Sequence, residues 1–317
     1  MEELYNLVKI RNEFKSLLIK ENRYSGYEKA INRLSANLIP PEISTTLSNS
    51  LEKINSVHDE LEKYINDQVK IFENKIEEKI KDFSKNNYTL PPFRDIKEST
   101  EFSCILGEEG ETKRQLELDE ELLEIIRTII GTYSDWKFPS LEIGCGRGDM
   151  TIHMKSADPL YVTDVSQNFL FSTKNQFNEI YKKRIRAYLQ KRENFTEFNY
   201  LPQNQFKFIL AWNVFNYYPE HELKEILKSC WDLLRPGGDI MFSYNDCEYL
   251  PCVTKFAYGS GSWITEKSII KILTDLGYEI NSIVHADGEV HWVEACKAGE
   301  LGSVKVHPSI GKIHLLN

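Results

Sequence analysis

The chain has 317 residues, of which 41% are hydrophobic and 27% are charged, and its formal net charge is −9. These proportions are typical of a soluble globular protein with room for one large domain or two smaller ones. The sequence shows neither a secretory signal pattern at its acidic start nor an apolar run near the roughly 18 residues that a membrane crossing needs, so we expect a cytoplasmic protein. The acidic balance makes tight nonspecific binding to nucleic acid unfavourable, because such binding needs a basic face.

The first 92 residues are expected to form a helical region. Residues 1–38 have apolar side chains near helical spacing and predict one or two helices, which Pro40 and Pro41 interrupt. Apolar residues then recur every three or four positions and predict one long helix over 44–85. A single helix of this length cannot bury its apolar stripe alone. We expect it to pack on the first helices, on the rest of the chain or on another chain.

The remaining chain divides by pattern into three parts. Residues 93–115 show no clear period and predict a linker. Residues 116–297 begin with an amphipathic helix over 117–130, ended by Gly131, and continue with alternating strands and helices. This alternation predicts a parallel sheet with helices on both faces. The glycine-containing tail, residues 298–317, is expected to be an extended arm.

Residues 141–150 carry the most specific motif, an apolar strand that runs into three glycines spaced by two. Glycine lets the backbone turn sharply and approach a ligand closely. A loop between a parallel strand and the helix expected to follow it is where α/β folds hold nucleotide-like ligands. The spacing differs from the G-x-G-x-x-G of dinucleotide-binding turns.

Three further features follow the glycine loop in order. Asp164 ends the next apolar run, a further apolar strand spans 206–213, and a Pro-Gly-Gly turn leads into a strand within 233–242. Near the end, residues 279–285 and 290–296 predict two strands of a hairpin joined through Asp-Gly.

Together these features resemble class I methyltransferases that use S-adenosylmethionine (SAM), and the resemblance covers about residues 116–297. It implies an α/β fold with a seven-stranded Rossmann-like sheet whose last strand is antiparallel. It also implies SAM as the methyl donor, S-adenosylhomocysteine as the product, and a small molecule or a protein side chain as the acceptor.

The resemblance also implies how the cofactor is held. The glycine loop passes under the methionine part of SAM. Glu142, in the first strand, orients that loop or the amino group of SAM. Asp164, at the end of the second strand, accepts hydrogen bonds from the ribose hydroxyls. A helix-capping or turn role is the alternative for the latter acid. The cysteine within the loop is interpreted as a small space-filler rather than a nucleophile. The implied cofactor residues are Glu142, Gly144, Cys145, Gly146, Gly148, Asp164, Val165, Asn194, Phe195 and Asn213.

The methyl acceptor is expected beyond the fourth strand, and Asn213, Tyr217 and Tyr244 are the candidate catalytic residues. Asn216 and Tyr217 lie where many small-molecule members of the family have two histidines, so no general base is predicted from that pair. The signature of DNA adenine methylation is absent. Asp246 could act as a base if it is buried, but a solvated loop acid is the favoured interpretation.

Two groups of side chains near the end of the chain have competing interpretations. One is an aromatic set, Tyr249, Phe256, Tyr258 and Trp263, which predicts either a lid over the acceptor or a small satellite core. The other is an alternating polar set, His285, Asp287, Glu289 and His291, which is more simply explained by paired surface residues on a hairpin than by a metal site. No metal is therefore predicted. The six cysteines form no C-x-x-C pair, which is typical of reduced thiols.

Two other functions remain open at this point. One is that of a structural or scaffolding subunit of a larger assembly, such as a phage assembly, that keeps a SAM-binding fold. In that case, or for a homo-oligomer, the N-terminal helices are the expected docking element. Methylation of nucleic acid is a third hypothesis, which the acidic composition disfavours.

Overall fold

The structure is a computed structural model, and the chain divides into two compact units, residues 1–89 and 90–317. The structure describes residues 2–21, 41–85, 120–190, 196–257, 261–286 and 290–299. The predicted linker over 93–115 and almost all of the predicted arm lie outside these residues. Among the described helices, none combines the length and the apolar character that a membrane crossing requires.

Two helices make up the described part of the first unit, α1 (Glu2–Glu21) and α2 (Pro41–Lys85). Helix α2 is 45 residues long, or about 68 Å at 1.5 Å per residue. It begins at Pro41 itself rather than after the proline pair. The first position of a helix suits proline, because the missing N–H has no partner within the helix there.

The two helices pack against each other in opposite directions. The rings of Phe14 and Phe72 stack with centroids 5.8 Å apart, and Lys79 pairs with Glu3. Later residues of α1 thus meet earlier residues of α2. The contact buries one side of each helix, at Leu4, Val8, Ile65, Val69 and Ile76.

The second unit contains a seven-stranded sheet. Its strands are β1 (Ser140–Ile143), β2 (Leu160–Asp164), β3 (Ile185–Leu189), β4 (Phe206–Ala211), β5 (Leu234–Tyr244), β6 (Tyr278–Ala286) and β7 (Val290–Lys297). The order in the sheet is β3-β2-β1-β4-β5-β7-β6. Pairing is parallel from β3 to β5, whereas β7 runs antiparallel to both β5 and β6. The predicted α/β sheet with an antiparallel last strand is confirmed.

Helices cover both faces of this sheet. They are α3 (Glu120–Tyr133), α4 (Gln167–Asn175), α5 (Glu179–Lys182), α6 (Glu220–Leu233), α7 (Leu250–Ala257) and α8 (Glu266–Asp275), with short 3₁₀ turns at Thr151–Met154 and Phe215–Tyr217. Two apolar clusters result. One packs α6 and α8 on one face, and the other packs α3 and α4 on the opposite face.

The connection from β1 to β2 differs from its prediction. We expected a helix after the glycine loop, but the chain forms only the 3₁₀ turn Thr151–Met154 before β2. The segment between Ile143 and Leu160 must hold the loop and return across the sheet, which leaves too few residues for a long helix.

Helix α3 continues through Gly131 to Tyr133, so the predicted end at Gly131 is wrong. The Tyr133 side chain explains the extension. It is buried, it stacks on Phe208 with centroids 4.9 Å apart, and its hydroxyl donates a 2.7 Å hydrogen bond to Glu294. Tertiary contacts thus hold the last turn in spite of the glycine.

Because Gly131 lies inside a helix, Gly131→Ala is expected to stabilise the protein by about 0.5–1 kcal/mol. An added Cβ would meet only the carbonyl oxygen of His153 at 3.7 Å, an ordinary contact. Urea unfolding of both proteins measures the change. A lower midpoint for the variant would mean that the helix end is strained by the new methyl group.

Candidate functional site

A pocket opens at the carboxyl edge of the parallel strands, where β1, β2, β3 and β4 end. This edge is the expected ligand side of an open α/β sheet. The lining residues are Glu142, Gly144, Cys145, Gly146, Arg147, Asp149, Met150, Asp164, Val165, Phe169, Gln190, Trp212, Asn213, Val214, Tyr217 and Tyr218.

The glycine loop forms the floor of this pocket. Gly144 and Gly146 have φ of 70° and 52°, in the left-handed region that side chains rarely adopt. A Cβ on Gly144 would lie 2.3 Å from Val214, so only glycine fits there. A Cβ on Gly146 would meet no atom within 4 Å and would enter open pocket space. The loop therefore brings bare backbone to the surface of the pocket.

Gly148, the third glycine, serves the fold rather than the pocket. It does not belong to the lining, and a Cβ at this position would lie 3.1 Å from the backbone of Thr173 in α4. Its φ of 95° is again open to glycine but not to other residues. The glycine lets the loop pack closely against that helix.

Asp164 lies at the end of β2, is nearly buried and holds two pieces of backbone. Its Oδ2 accepts a 2.9 Å hydrogen bond from the N–H of Gly146, and its Oδ1 accepts one of 2.9 Å from the N–H of Ser166. Burial raises the pKa of the carboxyl, and these hydrogen bonds oppose that rise. The side chain also lines the pocket, so it ties the loop to β2 and faces a ligand at the same time.

Glu142 lies beneath the loop, in β1, and is 2% exposed. It accepts a hydrogen bond from the hydroxyl of Thr151. Burial raises the pKa of Glu142 to about 8, because the charged form loses its hydration and Asp164 and Asp149 repel it, while the Thr151 hydrogen bond opposes the rise. The carboxyl therefore keeps its proton in the folded protein near neutral pH.

This raised pKa gives the stability a definite dependence on pH. The folded state binds a proton at Glu142 that the unfolded chain loses near pH 4.5, so this group's contribution is complete below about pH 4.5 and is lost as the pH rises to about 8. Glu142→Gln keeps an acceptor for Thr151 and cannot ionise. We expect it to gain stability over the wild type across that window, as measured by urea midpoints at several pH values. Parallel pH curves for the two proteins would contradict the assignment.

Cys145 lies between the first two glycines and is 4% exposed. Its sulfur accepts a hydrogen bond from Thr173 at 3.4 Å, and burial raises the pKa of the thiol. A protonated, buried thiol is a poor nucleophile. The structure therefore favours a space-filling role for Cys145.

Several residues that the structure places in the pocket were not predicted as site residues from the sequence. Gln190 directly follows β3, is 6% exposed, and its N–H donates to the carbonyl of Asp164 at 2.8 Å. Its position at the carboxyl end of a strand was a usable signal. Asn194 and Phe195, the predicted adenine contacts, lie outside the described residues. The other pocket residues missed from the sequence are Arg147, Asp149, Met150, Phe169, Trp212, Val214 and Tyr218.

Beyond β4, the structure brings Asn213 and Tyr217 into the lining, as predicted for the acceptor side. Asn213 has a φ of 54°, and its N–H donates a 2.7 Å hydrogen bond to the hydroxyl of Ser243. Asparagine is among the few side chains that tolerate this conformation. The unusual backbone turns the chain after Trp212, so that its next residues border the pocket.

Tyr244, the third predicted catalytic residue, does not reach the pocket. It is 1% exposed, packs in the apolar core, and its hydroxyl donates to Asp246 at 3.4 Å. Asp246 is itself fully buried, so its interpretation as a solvated loop acid is wrong. Burial raises the pKa of Asp246 to about 6, against hydrogen bonding from the N–H of Glu248.

The described members of the aromatic set belong to two separate groups. Phe256 packs edge-on against Trp263, with centroids 5.3 Å apart. The ring of Tyr249 instead lies against those of His285 and His291, with ring centroids 5.3 and 4.5 Å apart respectively. None of these rings lines the pocket, and Tyr258 lies outside the described residues. The described rings are part of the packing around β5 to β7 rather than a lid over the pocket.

The chain is similar to known proteins over part of its length. Residues 141–238 match the family model of a methyltransferase domain. The match begins in the first strand and ends just after the Pro-Gly-Gly turn, so it spans the glycine loop, Asp164 and the β4 edge of the pocket. The predicted resemblance to a methyltransferase domain is thereby confirmed for this part of the chain. None of the curated protein sequences matches the chain.

Solved structures with a similar chain path include three methyltransferases. A SAM-dependent methyltransferase from Clostridium acetobutylicum is 16% identical, with a TM-score of 0.42, covering 51% of this chain and 84% of that one. Magnesium protoporphyrin IX methyltransferase from Synechocystis PCC 6803, with bound SAH, is 17% identical, with a TM-score of 0.44, covering 58% of this chain and 84% of that one. Geranyl diphosphate C-methyltransferase from Streptomyces coelicolor is 11% identical, with a TM-score of 0.45, covering 57% of this chain and 79% of that one. Such low identities and TM-scores carry no substrate over to this chain.

Proposed function

We propose that the second unit is a SAM-dependent methyltransferase that acts on a small molecule or a protein side chain. The observation that supports this most directly is the glycine loop. Its backbone faces open pocket space at Gly146, beside the buried carboxylate of Asp164. A cradle that any side chain would fill is what a closely held ligand requires.

The lining fits the parts of SAM one by one. The loop from Gly144 to Gly146 would hold the methionine part, and Asp164, which lines the pocket, would accept hydrogen bonds from the ribose hydroxyls. Gln190, at the end of β3, is placed to meet the edge of the adenine. Phe169 and Val165 supply apolar contact for the ring faces.

SAM carries its methyl group on a positively charged sulfur, so the group is already activated when the cofactor is bound. The chain's contribution is then mainly to position an acceptor and exclude water. In the described lining after β4, the residues are Trp212, Asn213, Val214, Tyr217 and Tyr218, with no histidine or carboxylate among them. This favours an acceptor that is nucleophilic without a base from these residues, oriented by Asn213 and Tyr217.

The experiment that tests this proposal is calorimetric titration of the purified chain with SAM and with S-adenosylhomocysteine. One site per chain with micromolar affinity is expected, followed by screening of acceptors with labelled SAM. A well-folded chain that binds neither compound would overturn the proposal.

A structural subunit that keeps this fold is the alternative. The observation in its favour is the apolar surface left on α2, where Val57 is 65% exposed, Leu61 47% and Tyr64 56%. These side chains lie outside the part of α2 that α1 buries. Failure to bind SAM together with capture of a partner by residues 1–92 would favour this function.

A further inference from the structure

A second group of polar side chains lies at the carboxyl edge of the sheet, away from the pocket. His285 near the end of β6 and His291 near the start of β7 are direct partners in the antiparallel register. Asp246 follows the end of β5, the other neighbour of β7. Three adjacent strands thus bring two imidazoles and one carboxylate together.

The distances among these side chains match a shared metal ion. The Nδ1 atoms of His285 and His291 are 2.9 Å apart, and His285 Nδ1 lies 3.6 Å from Asp246 Oδ2. One ligand atom from each of the three residues lies within 4.8 Å of the others. In a tetrahedral site with bonds of about 2.0–2.1 Å, ligand atoms are about 3.3 Å from one another. The His285–His291 and His285–Asp246 pairs are thus already near this spacing, and the third pair closes from within 4.8 Å when one ion binds.

A carboxylate outside this group sets the orientation of His285. Glu266 Oε2 lies 3.0 Å from His285 Nε2, where the carboxylate accepts the Nε2–H. The Nδ1 lone pair of His285 then points toward Asp246 and His291. A carboxylate bound to the far nitrogen of a histidine is the usual outer support of a metal-ligating imidazole.

Further contacts hold Asp246 in place. Its Oδ1 accepts a 3.0 Å hydrogen bond from the N–H of Glu248, while its Oδ2 faces His285 and receives the Tyr244 hydroxyl at 3.4 Å. The ring of Tyr249 lies against both imidazoles. One carboxylate oxygen is therefore held by backbone and the other is directed into the group.

We propose that His285, His291 and Asp246 form a site for one divalent transition-metal ion, bound through two imidazole nitrogens and one carboxylate oxygen. Two histidines and a carboxylate suit Zn²⁺, Fe²⁺ and Co²⁺ rather than Mg²⁺ or Ca²⁺, which prefer oxygen. Asp246 and His291 are buried, whereas the His285 side chain is 25% exposed, so an ion enters from the His285 side. Three protein ligands leave a coordination position for water or another molecule.

This site was missed from the sequence because its members are far apart in the chain. The alternating polar residues of the hairpin suggested Asp287 and Glu289 as companions of the histidines, and both lie outside the described residues. The carboxylates that the structure supplies, Asp246 and Glu266, come from the end of β5 and the start of α8. Only the folded sheet brings them to the histidines.

The test is titration of the full-length, chelator-treated chain with Co²⁺, followed by displacement with Zn²⁺. We expect one Co²⁺ per chain, with visible absorption of a four- or five-coordinate site. The sulfur-to-cobalt charge-transfer band in the near ultraviolet should be absent, because cysteine is not a ligand. A cobalt–thiolate band, or no saturable binding by the folded chain, would overturn the proposal.

Three variants identify the ligands. His285→Gln should remove stoichiometric binding, and Glu266→Gln should weaken it by about 10- to 100-fold through the loss of the outer hydrogen bond. His221→Gln is the control, since this imidazole on α6 is 78% exposed and far along the chain from the site, and it should bind as the wild type does. Equal binding by wild type and His285→Gln would refute the assignment.

Two further measurements distinguish loss of the metal site from misfolding of a variant and from failure of the SAM pocket. Thermal unfolding of each metal-free variant shows whether it folds, and the partly exposed Glu266 allows a substitution with little cost to the core. SAM titration of the metal-free wild type reports on the pocket alone. A chain that binds SAM but no metal would refute the metal site and leave the proposed function intact.

Discussion

In the Gly146→Val protein we expect SAM binding to be lost. The Cβ position at Gly146 points into open pocket space, so a branched side chain would occupy the path of the methionine part of the cofactor. The φ of 52° adds backbone strain of about 1–2 kcal/mol for a residue with a Cβ. Calorimetric titration with SAM measures the loss.

A second substitution at the same position separates occlusion from strain. Asparagine tolerates the left-handed conformation, so Gly146→Asn should fold with stability close to that of the wild type and still fail to bind SAM. Gly131→Ala is the matched control outside the pocket and should bind normally. Normal SAM affinity in Gly146→Asn would mean that the cofactor does not pass this point of the loop.

In the Asp164→Ala protein we expect SAM affinity to fall by about 5- to 150-fold, which corresponds to about 1–3 kcal/mol for hydrogen bonds to a charged group. Two causes act together. The carboxylate no longer accepts from the ribose, and the N–H groups of Gly146 and Ser166 lose their acceptor. The second cause should also lower the free energy of unfolding, which urea unfolding measures.

Asp164→Asn distinguishes these causes. Its amide oxygen can replace only one of the two carboxylate oxygens, so we expect an intermediate loss of affinity. Asp275→Asn, at the partly exposed end of α8, changes the same charge and should have no effect. If Asp164→Ala lowered stability but left SAM affinity unchanged, Asp164 would be only a support for the loop and the start of α4.

The sequence was sufficient to predict the sheet and its glycine loop because the relevant signals are local. A strand followed by spaced glycines, an acid at the end of the next strand, and an Asp-Gly hairpin each specify a backbone path over a few residues. The structure places Glu142, Cys145 and Asp164 around one loop, as the motif predicted. Parallel pairing then carries the later strand ends to the same edge.

Predictions that depended on burial were less successful. Tyr244 ends β5 and Asp246 follows it at the ligand edge. This position made Tyr244 a candidate catalytic residue and Asp246 a solvated acid in the sequence-based prediction. The structure instead buries both, because the segment after β5 folds back, with Asp246 bridged to Ile264 and Asn245 donating to the carbonyl of Ser262. Such long-range contacts have no counterpart in local spacing.

The ends of the helices also show that local sequence signals can be overridden by the rest of the fold. Glycine at position 131 is a reasonable stop signal, yet the helix continues for another two residues since Tyr133 finds a place in the core. Conversely, the residues after the glycine loop form only a 3₁₀ turn, because the return to β2 leaves no length for more. Local preference yields to packing in the first case and to chain length in the second.

The glycine loop is tied to β2 by the protein's own hydrogen bonds, in which Gly144 and Cys145 donate to the carbonyl of Thr163 at 2.8 and 3.1 Å and Gly146 donates to Asp164. A ligand therefore meets a rigid surface and does not have to order it, which removes a conformational cost from association. SAM and S-adenosylhomocysteine share the parts that such a surface contacts. If the proposed function holds, spent cofactor should consequently compete with fresh donor for the same surface.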